Sequence, residues 1–215
     1  NIQSDGFVDR ASSDLQSYFF SGQYASRKNS LKFITFSGKE KTFQSWAGIP
    51  KDSLETNRTY NPYNYDNETD NYQQTHYQLF YDRKISDKLF LNTALHYTKG
   101  QGYFEQYRED DNMSTYNIDP VFTSTDTITS TDLIRRRWLD NDFVGGIFAL
   151  KYKPNQKLQT ILGGGYNYYD GIHFGEVIWA RYSNNLDIRD RYYDNRATKT
   201  DGNIYSKTNY QVSKK

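Results

Sequence analysis

The 215-residue sequence contains no cysteine, which excludes disulfide bonds, thiol catalysis and thiolate metal sites. No apolar run approaches the roughly 18 to 20 residues of a transmembrane helix. Neither sign of charge is in excess: the net charge is +1, so the sequence has no electrostatic footprint for nucleic acid. A signal peptide is also missing, and the first residues already read as mid-domain sequence, so we expect the chain to be an excised fragment.

The sequence is rich in aromatic residues. Only 35% of the residues are hydrophobic, yet 17% are aromatic, with 21 Tyr and 13 Phe. Disordered chains are poor in aromatics, so the low hydrophobicity does not predict disorder. A polar, Tyr-rich sequence is typical of strands with one apolar face, one wet face and aromatic rings at a membrane boundary. A Tyr-rich soluble β domain that binds sugars has the same composition, and composition alone does not separate the two.

Short polar turns and long polar loops alternate along the chain. The short turns are Arg27-Lys28-Asn29, Ser86-Asp87-Lys88 and Pro154-Asn155-Gln156, and a fourth begins at Ser213-Lys214-Lys215. The long connections run from about Ala47 to Asn71, Glu109 to Asp132 and Asn184 to Gly202. Outer-membrane β-barrels have this asymmetry, with tight turns at one end and long loops at the other. The pattern therefore predicts an all-β fold, an antiparallel up-and-down meander that forms a partial barrel wall of about seven strands.

The strands between these turns alternate apolar and polar side chains, as half-buried strands require. We expect a convex apolar face that carries Leu89, Leu91, Leu95, Phe148, Leu150, Leu158 and Leu162. The alternate residues Asn92, His96, Lys151 and Gln159 are expected on the concave face. Four tyrosines, Tyr24, Tyr81, Tyr152 and Tyr210, each precede a short turn. That repeated position favours an interfacial aromatic girdle over the ordinary β-propensity of tyrosine.

No motif that carries chemistry is convincing. His76, His96 and His173 lack the paired spacing of a zinc site, and no Gly-x-Ser-x-Gly nucleophile elbow occurs. Residues 65–71 offer oxygen ligands for calcium but lack the glycine and terminal glutamate of an EF-hand, which favours a solvated loop. Gly163-Gly164-Gly165 is interpreted as a bend or bulge, because no Lys-Ser/Thr of a phosphate loop follows it. We therefore expect no catalytic residue, no metal site and no cofactor.

Several longer strings carry a family resemblance. They are Ser4 to Leu15 with Ser17-Tyr18-Phe19, Phe36 to Thr42 with Trp46 and Gly48-Ile49-Pro50, Asn57 to Asn61, Asp66 to Leu79, and Leu91 to Thr98. Together they resemble TonB-dependent outer-membrane receptors over most of the chain, from about Ser4 to Val212. The resemblance implies that residues 1–215 are part of a 22-stranded transmembrane β-barrel domain. The plug domain and terminal strands of such a receptor are absent from this sequence.

The resemblance also implies a function. Such receptors are energised through TonB and import scarce ligands such as iron chelates, cobalamin or oligosaccharides. It implies a transporter in the cell outer membrane, not an enzyme. Its partners would be the lipid bilayer, its own plug domain, the TonB complex and a small-molecule or glycan ligand, with no nucleic acid. About seven strands cannot close a barrel and would leave backbone groups unsatisfied in a bilayer, so the segment cannot work alone.

Two other functions remain open at the level of sequence. A soluble or surface-anchored Tyr-rich carbohydrate-binding β domain would bury its apolar faces against a second sheet. A barrel wall would instead expose Leu, Phe and Tyr in a continuous band. An outer-membrane barrel enzyme would need a catalytic constellation, and the sequence does not show one. The apolar face of the strands is thus the feature that separates these alternatives.

Ligand capture is expected where the long loops gather. Rings stack on aromatic side chains, and anionic chelates require guanidinium donors. The residues best placed to supply these groups are Trp46, Tyr60, Tyr63, Arg135, Arg137 and Trp138. The same side chains would also serve to cover their own loops, and the sequence leaves both roles open.

Overall fold

The computed structural model describes residues 1–213, which form ten β-strands and two short 3-10 turns. The strands are β1 (Ile2–Ser4), β2 (Ser13–Ala25), β3 (Asn29–Phe43), β4 (Thr69–Lys84), β5 (Leu89–Asn112), β6 (Val121–Phe122), β7 (Thr127–Ile128), β8 (Ser130–Tyr152), β9 (Leu158–Ala180) and β10 (Arg191–Tyr210). The 3-10 turns are Lys51–Ser53 and Met113–Tyr116. Over this range no helix has the length and apolarity needed to cross a membrane. Lys214 and Lys215, which belong to the fourth predicted turn, lie outside the described residues.

Eight of the strands make one antiparallel sheet in the order β1-β2-β3-β4-β5-β8-β9-β10. The other two, β6 and β7, form a separate two-stranded ribbon within the connection between β5 and β8. The prediction of an all-β antiparallel meander is therefore confirmed, with one strand more than expected because the short β1 pairs with β2. The two ends of the sheet do not pair with each other, so the described residues form an open wall.

The three predicted short turns lie where the sequence placed them, and local hydrogen bonds explain their geometry. Between β2 and β3, the Ser26 amide donates to the Asn29 carbonyl at 2.7 Å, and the Asn29 amide donates to Ser26 Oγ at 3.2 Å. Between β8 and β9, Asn155 Oδ1 accepts from the amides of Lys157 and Leu158. Such side-chain bonds to nearby backbone are what make Ser and Asn turn residues.

Two of the predicted long connections are shorter than expected. The prediction that a connection runs from Asn184 to Gly202 was wrong, because β10 already begins at Arg191. The predicted connection from Glu109 to Asp132 is shorter in the structure, because β5 extends to Asn112 and β8 begins at Ser130; it also contains the β6–β7 ribbon. In each case the strand end is polar on both faces, so it carries no alternation of apolar and polar residues to detect.

The registers divide the side chains of the sheet into two faces. The apolar face carries, from β3 to β9, rows such as Leu31–Tyr81–Thr93–Phe148–Gly164 and Phe33–Leu79–Leu95–Gly146–Tyr166. All seven residues predicted for the convex face lie on this apolar face. The four predicted concave residues lie on the opposite, polar face. The four turn-proximal tyrosines also share the apolar face, as an aromatic girdle requires.

The apolar face is exposed rather than covered. Leu95 is 59% exposed and Ile204 is 74% exposed, and Leu79, Phe148 and Leu162 are exposed as well. In residues 1–213 the one other sheet is the two-stranded β6–β7 ribbon, and its Val121 and Ile128 pack on buried side chains that include Leu133 and Val177, on the opposite face. A sandwich of the kind expected for a soluble carbohydrate-binding domain would bury these side chains. The described wall therefore has the architecture of a partial barrel.

Glycines show which face is the inner side of the curved sheet. On the polar face, His96 Nε2 of β5 lies 3.0 Å from Asn167 Oδ1 of β9, directly above Gly145 of the intervening β8. Tyr72 of β4 and Asn141 of β8 likewise meet above Gly100 of β5. Side chains two strands apart meet in this way where a sheet curves toward them. These contacts fit a sheet that curves toward its polar face, the face predicted to be concave.

The Gly163-Gly164-Gly165 segment does not form a bulge. β9 pairs with β8 and β10 through these positions without a shift in register. A Cβ at Gly163 would lie 2.5 Å from the Tyr205 ring, and one at Gly164 would lie 2.6 Å from the Asn203 carbonyl oxygen. The glycines thus give space for side chains and backbone of β10; of the two predicted forms, the bulge was wrong, and the bend stays a prediction.

The hydrophobic core lies at the long-connection end of the sheet. It is a cluster of buried side chains from three elements: Met113, Tyr116, Ile118, Leu133 and Val177. Leu133 and Val177 project from the polar face of β8 and β9, and the connection between β5 and β8 folds over them. This core fixes the connections at the end of the wall where ligand capture was expected.

Candidate ligand-binding site

The candidate site lies where β5, β8 and β9 extend past β4. The pairing of β4 with β5 stops at Asp70 and Phe104, whereas β5 and β8 stay paired as far as Asn112 and Ser130. This extension would leave one edge of β5 open, which proteins usually cover. Residues 44–68 cover it, since Gln44 Nε2 donates to the Glu105 carbonyl. The result is a platform at the long-connection end.

A cleft on the polar face of this platform is built around Arg137, and we call it the Arg137 cleft. Its volume is about 420 Å³, and its lining includes Tyr72, Phe104, Arg137, His173 and Tyr193. The Arg137 guanidinium lies 5.4 Å from the centre of the Phe104 ring and 5.9 Å from that of Tyr193. Its Nε also donates to the Tyr193 hydroxyl at 3.3 Å. The cation is thus held between two aromatic rings while remaining exposed.

The cleft combines donors with acceptors. Arg137 and His173 lie along one part of the lining, and the carboxylates of Glu40 and Asp70 lie along another. Burial raises the pKa of Asp70, and the negative charge of Glu40 raises it further. Such a lining can stack a planar ring, donate hydrogen bonds to an anionic or polar group, and accept hydrogen bonds from hydroxyls.

Trp46 belongs to the same surface. Its ring meets that of Phe104 edge-on at 5.6 Å between centroids, and its side chain is 58% exposed. Phe104 therefore contacts both Trp46, from the connection after β3, and Arg137, from β8. Of the six residues predicted for ligand capture, Trp46 and Arg137 are the two that contact the same aromatic ring, that of Phe104.

Arg135 has a different position. Its Nη2 donates to Gln106 Oε1 at 2.8 Å, and its Nη1 donates to the Tyr116 hydroxyl at 3.0 Å. Tyr116 is fully buried, and it donates in turn to Asp111 Oδ2 at 2.7 Å. Burial, together with this bond to Asp111, raises the pKa of Tyr116 to about 12. Arg135 thus holds the connection between β5 and β8 in place.

Tyr60 and Tyr63 lie on a segment that docks elsewhere. The Asp9 amide donates to the Thr59 carbonyl at 2.7 Å, and Arg10 Nε donates to the Tyr63 carbonyl at 2.7 Å. These bonds fasten the segment to the turn between β1 and β2, whereas Arg137 lies on β8. Tyr60 is 36% exposed there.

Trp138 lies on the apolar face, because it directly follows Arg137 in a regular strand. Its ring stacks on Phe174 at 5.6 Å between centroids and lies 4.5 Å from the centroid of Tyr103. Its Nε1 is buried and has no hydrogen-bond partner among the described residues. Neighbours in a strand cannot both line the inner side of a wall, so Arg137 and Trp138 belong to different surfaces.

Sequence reasoning missed Phe104 and Tyr193. Phe104 was assigned to a strand without a role, and Tyr193 fell in a segment predicted to be a loop. The signal that could have found them is register: Phe104 is directly opposite Arg137, and Tyr193 is opposite Gly175, which is opposite Arg137 in turn. The pairing of Tyr193 with Gly175 could not be predicted, because the segment that contains Tyr193 was predicted to be a loop.

A network of charges fixes the connection after β3. Tyr65 donates to Glu105 Oε1 at 2.6 Å, and Arg136 Nε donates to Glu105 Oε2 at 2.7 Å. Burial and the Glu105 carboxylate raise the pKa of Tyr65 to about 12. Nearby, burial raises the pKa of Glu68 to about 7. Within residues 1–213 no group of three or more His, Asp or Glu side chains is placed to hold a metal ion.

Comparisons with known proteins bear on the fold. No protein-family model matches the sequence, and no curated protein matches it. Among solved structures, the chain is similar to BauA, the ferric preacinetobactin receptor from Acinetobacter baumannii, with a TM-score of 0.56 and 10% sequence identity. That match covers 97% of this chain and 33% of BauA, so the chain spans about one third of that receptor. The likeness shows that the wall has the fold of part of such a receptor.

Two further structures are more distant. They are the open and closed forms of Fiu, the ferric-catecholate import receptor from E. coli K12, with TM-scores of 0.42 and 0.41. Each is 8% identical in sequence and covers 96% of this chain, and the matches cover 46% and 42% of the Fiu chains. At these scores they add no argument to the one from BauA.

Proposed function

We propose that this chain is part of the barrel wall of a TonB-dependent outer-membrane receptor that imports a scarce ligand. Residues 1–215 would supply strands and external connections, while the plug domain, the remaining strands and the TonB contact would come from the rest of the receptor. The proposed ligand is an iron chelate, cobalamin or an oligosaccharide.

The observation that carries this proposal is the single-layered sheet with an exposed apolar face and a polar concave face. On β5 the apolar face runs from Leu89 to Tyr97, a distance of about 27 Å along the strand at about 3.4 Å per residue. A strand tilt of about 40° reduces this to a height of about 20 Å, close to the apolar band of outer-membrane barrels. Water is a poor solvent for such a band, whereas lipid is a good one.

Charged residues lie near both ends of this band. Beyond Tyr97, the apolar face continues with Lys99, which pairs with Asp142 at 2.9 Å. Near the short-turn end, Arg83 of β4 lies on the apolar face opposite Leu91 of β5. Charges are costly in hydrocarbon, and a long side chain near a membrane boundary extends its charged end to the interface, so these positions fit the two membrane–water boundaries.

The Arg137 cleft supports ligand capture at the mouth. It lies on the concave side, beyond the band, and it holds an exposed guanidinium between two rings next to Trp46. We propose that Trp46 and Arg137 contact the ligand directly, while Arg135 positions the connection that borders them. Tyr60 and Tyr63 would contact a ligand large enough to reach the β1–β2 turn.

Uptake by the full-length receptor tests this proposal. The panel of probes is a ferric hydroxamate, a ferric catecholate, cobalamin and an oligosaccharide, each followed as labelled compound in intact cells. We expect one probe to enter in a TonB-dependent manner, and Arg137→Ala and Trp46→Ala to weaken its binding at least tenfold. Arg58→Ala, at an exposed site in the same connection as Trp46, is the matched control. Uptake that is independent of TonB, or a full-length protein absent from the outer-membrane fraction, would reject the proposal.

A further inference from the structure

A pocket lies on the polar face near the short-turn end of the sheet, and we call it the short-turn pocket. Its volume is about 270 Å³. The polar-face side chains that line it include Phe80, Ala94, Ile147, Ala149, Asn203 and Tyr205. Because a cavity of about 150 Å³ can hold a benzene-sized ring, this pocket has room for one aryl group.

Small residues make the short-turn pocket, and large ones bound it. Ala149 of β8 lies opposite Gly163 of β9, and Gly163 lies opposite Tyr205 of β10. A Cβ at Gly163 would lie 2.5 Å from the Tyr205 ring, and a Cβ at Gly165 would lie 2.9 Å from Cγ2 of Ile147, so both large side chains lean over a glycine. Ala149 and the two glycines therefore leave a depression between Tyr205 and Ile147.

The short-turn pocket exposes apolar side chains on a face that is otherwise mainly polar. Ile147 is 57% exposed and Tyr205 is 49% exposed. The next row of the polar face, away from the short turns, carries Gln78, His96 and Asn167. An aryl ring that fills the pocket would cover the exposed apolar surface, and the hydrophobic effect would stabilise the ring there.

Two lysines stand beside the short-turn pocket. On the polar face, Lys151 is the next residue after Ala149 on β8, and Lys207 is the next after Tyr205 on β10. Both lie opposite Ile161 of β9, so their Cα atoms are about 10 Å apart. Neither lysine belongs to an ion pair within residues 1–213. The two cations can therefore hold an anionic group at the side of the pocket.

The negative charge of the short-turn pocket lies at its other end. Asp82 of β4 lines the pocket there, and its Oδ1 accepts a hydrogen bond from Asn92 Nδ2 at 2.6 Å. In the order of the sheet, β8 is two strands from β4 and β10 is four, which corresponds to about 10 and 19 Å. An anionic group is therefore favoured between Lys151 and Lys207, away from Asp82.

The short-turn pocket and the Arg137 cleft lie toward opposite ends of one face. Arg137 and Lys151 are both on the polar face of β8, about 48 Å apart along the strand at about 3.4 Å per residue. Tyr152, which belongs to the predicted aromatic girdle, directly follows Lys151. The short turns of an outer-membrane barrel lie on the periplasmic side. In the proposed receptor, the pocket would therefore lie where a ligand leaves the lumen.

We propose that the short-turn pocket binds the imported ligand a second time, at the periplasmic end of the lumen, through an aryl group that carries a negative charge. The ring fills the space between Ile147 and Tyr205, and Lys151 and Lys207 hold the anionic group. The inference rests on the proposed function. It narrows the proposed ligand to an iron chelate with anionic aryl groups, because neither cobalamin nor a neutral oligosaccharide carries such a group.

Binding of small probes to the full-length receptor in detergent micelles tests the pocket directly. The probes are 4-fluorobenzoate, 4-fluorobenzyl alcohol, which lacks the charge, and trifluoroacetate, which lacks the ring. Fluorine NMR line broadening measures their binding, with empty micelles as the reference. All titrations use an Arg137→Ala background, so that the Arg137 cleft does not contribute. We expect 4-fluorobenzoate to bind at least tenfold more tightly than either of the other probes.

Filling the depression locates the ring of the probe. Ala149→Leu places a larger side chain in the pocket and should weaken binding of 4-fluorobenzoate at least tenfold. Ala197→Leu is the matched control, because it makes the same substitution at an exposed position of the same face on β10. Equal affinities in these two variants would overturn the proposal. So would the absence of binding by every probe, which is the result expected if the plug domain fills the pocket.

Removing the cations locates the charge of the probe. Lys151→Gln/Lys207→Gln should weaken binding of 4-fluorobenzoate at least tenfold and leave that of 4-fluorobenzyl alcohol unchanged. The control Lys153→Gln/Lys157→Gln removes two exposed lysines from the turn between β8 and β9. If both double variants lose affinity equally, only the general positive charge of this end attracts the probe, and the specific site is rejected.

Uptake by intact cells separates failure of this site from failure of the proposed function. With a labelled ferric catecholate, Lys151→Gln/Lys207→Gln should lower the rate of TonB-dependent uptake at least fivefold and leave binding to cells that lack TonB unchanged. If the receptor imports a ligand but this variant takes it up as wild type does, or if the imported compound has no anionic aryl group, only the short-turn pocket is rejected. If the receptor is absent from the outer membrane, both proposals fail. Heat-modifiable migration in gels confirms that each variant is folded.

Discussion

Glu68 is a carboxyl group that folding removes from water. It lies just before β4 and is 4% exposed. Burial raises its pKa to about 7, although a hydrogen bond from the Tyr107 amide and the positive charges of Arg108 and Arg135 act in the opposite direction. Because the folded-state pKa is above the ordinary value, protonation favours the folded connection. Its contribution to stability is full below about pH 4.5 and falls as the pH rises through about 7.

Glu68→Gln should therefore make the connection formed by residues 44–68 less sensitive to pH. The neutral amide can still accept a hydrogen bond, and it carries no charge to desolvate. We expect slower amide hydrogen exchange in this connection above pH 7, after correction for the intrinsic exchange rate. Glu55→Gln, at an exposed site in the same connection, should leave the pH dependence as in wild type. An unchanged pH dependence in Glu68→Gln would show that Glu68 does not destabilise the connection.

Trp138 gives a prediction about packing that is independent of any ligand. Its ring stacks between Tyr103 and Phe174, while its buried Nε1 has no partner in the described part of the chain. Trp138→Phe keeps the stacking and removes the unsatisfied donor, so stability should stay within about 1 kcal/mol of wild type or rise. Trp138→Ala should cost about 2 kcal/mol or more. Denaturant unfolding of the full-length protein in micelles measures both, and equal losses would contradict the packing argument.

Gly145 shows, at the scale of the elements, how β5, β8 and β9 constrain one another. A Cβ at this position would lie 2.6 Å from His96 Nε2 and 2.7 Å from the backbone oxygen of Tyr166. Backbone cannot move aside as a flexible side chain can, so Gly145→Ala should destabilise the wall by about 1 to 3 kcal/mol. A Cβ at Gly22, also in a strand, meets nothing within 4 Å. Gly22→Ala is therefore the control and should be neutral or slightly stabilising.

Folding efficiency into lipid vesicles compares these two glycine variants directly. We expect the Gly145→Ala protein to fold with lower yield and to lose contacts between β5, β8 and β9 first. If the folding yields of the two variants fall equally, His96 and the Tyr166 backbone can move enough to accommodate a Cβ at Gly145, and the packing argument is wrong.

The proposed orientation of the whole wall in a membrane is tested by placing one charge on either of its faces. Leu95 lies in the middle of the apolar face and is 59% exposed. Leu95→Arg should cost about 2 to 4 kcal/mol for insertion into a bilayer. Asn92→Arg, on the polar face, should insert almost as wild type does, because Asp82 is within reach there: Asn92 Nδ2 already donates to Asp82 Oδ1 at 2.6 Å. The reverse order of the two variants would require the faces to be exchanged.

Particular residues show how much of the fold and site the sequence predicts. Leu89, Leu91 and Leu95 were placed correctly, because strand alternation and short turns are local properties of the chain. β10 was only half recognised, since its 20 residues are exposed on both faces for most of their length and show no alternation. Trp138 was grouped with Arg137 although strict alternation already separates adjacent residues onto opposite faces.

The sequence by itself determined the all-β meander, the positions of the tight turns and the division of most strands into an apolar and a polar face. Each of these follows from neighbours in the chain, which a period of two or a turn residue encodes directly. Only the tertiary structure decided that Trp46 and Arg137 meet across Phe104, that Arg135 holds a connection, and that Trp138 packs between Tyr103 and Phe174. Those contacts depend on the register between strands and on how long connections fold back, and such distant pairings leave no periodic trace in the sequence.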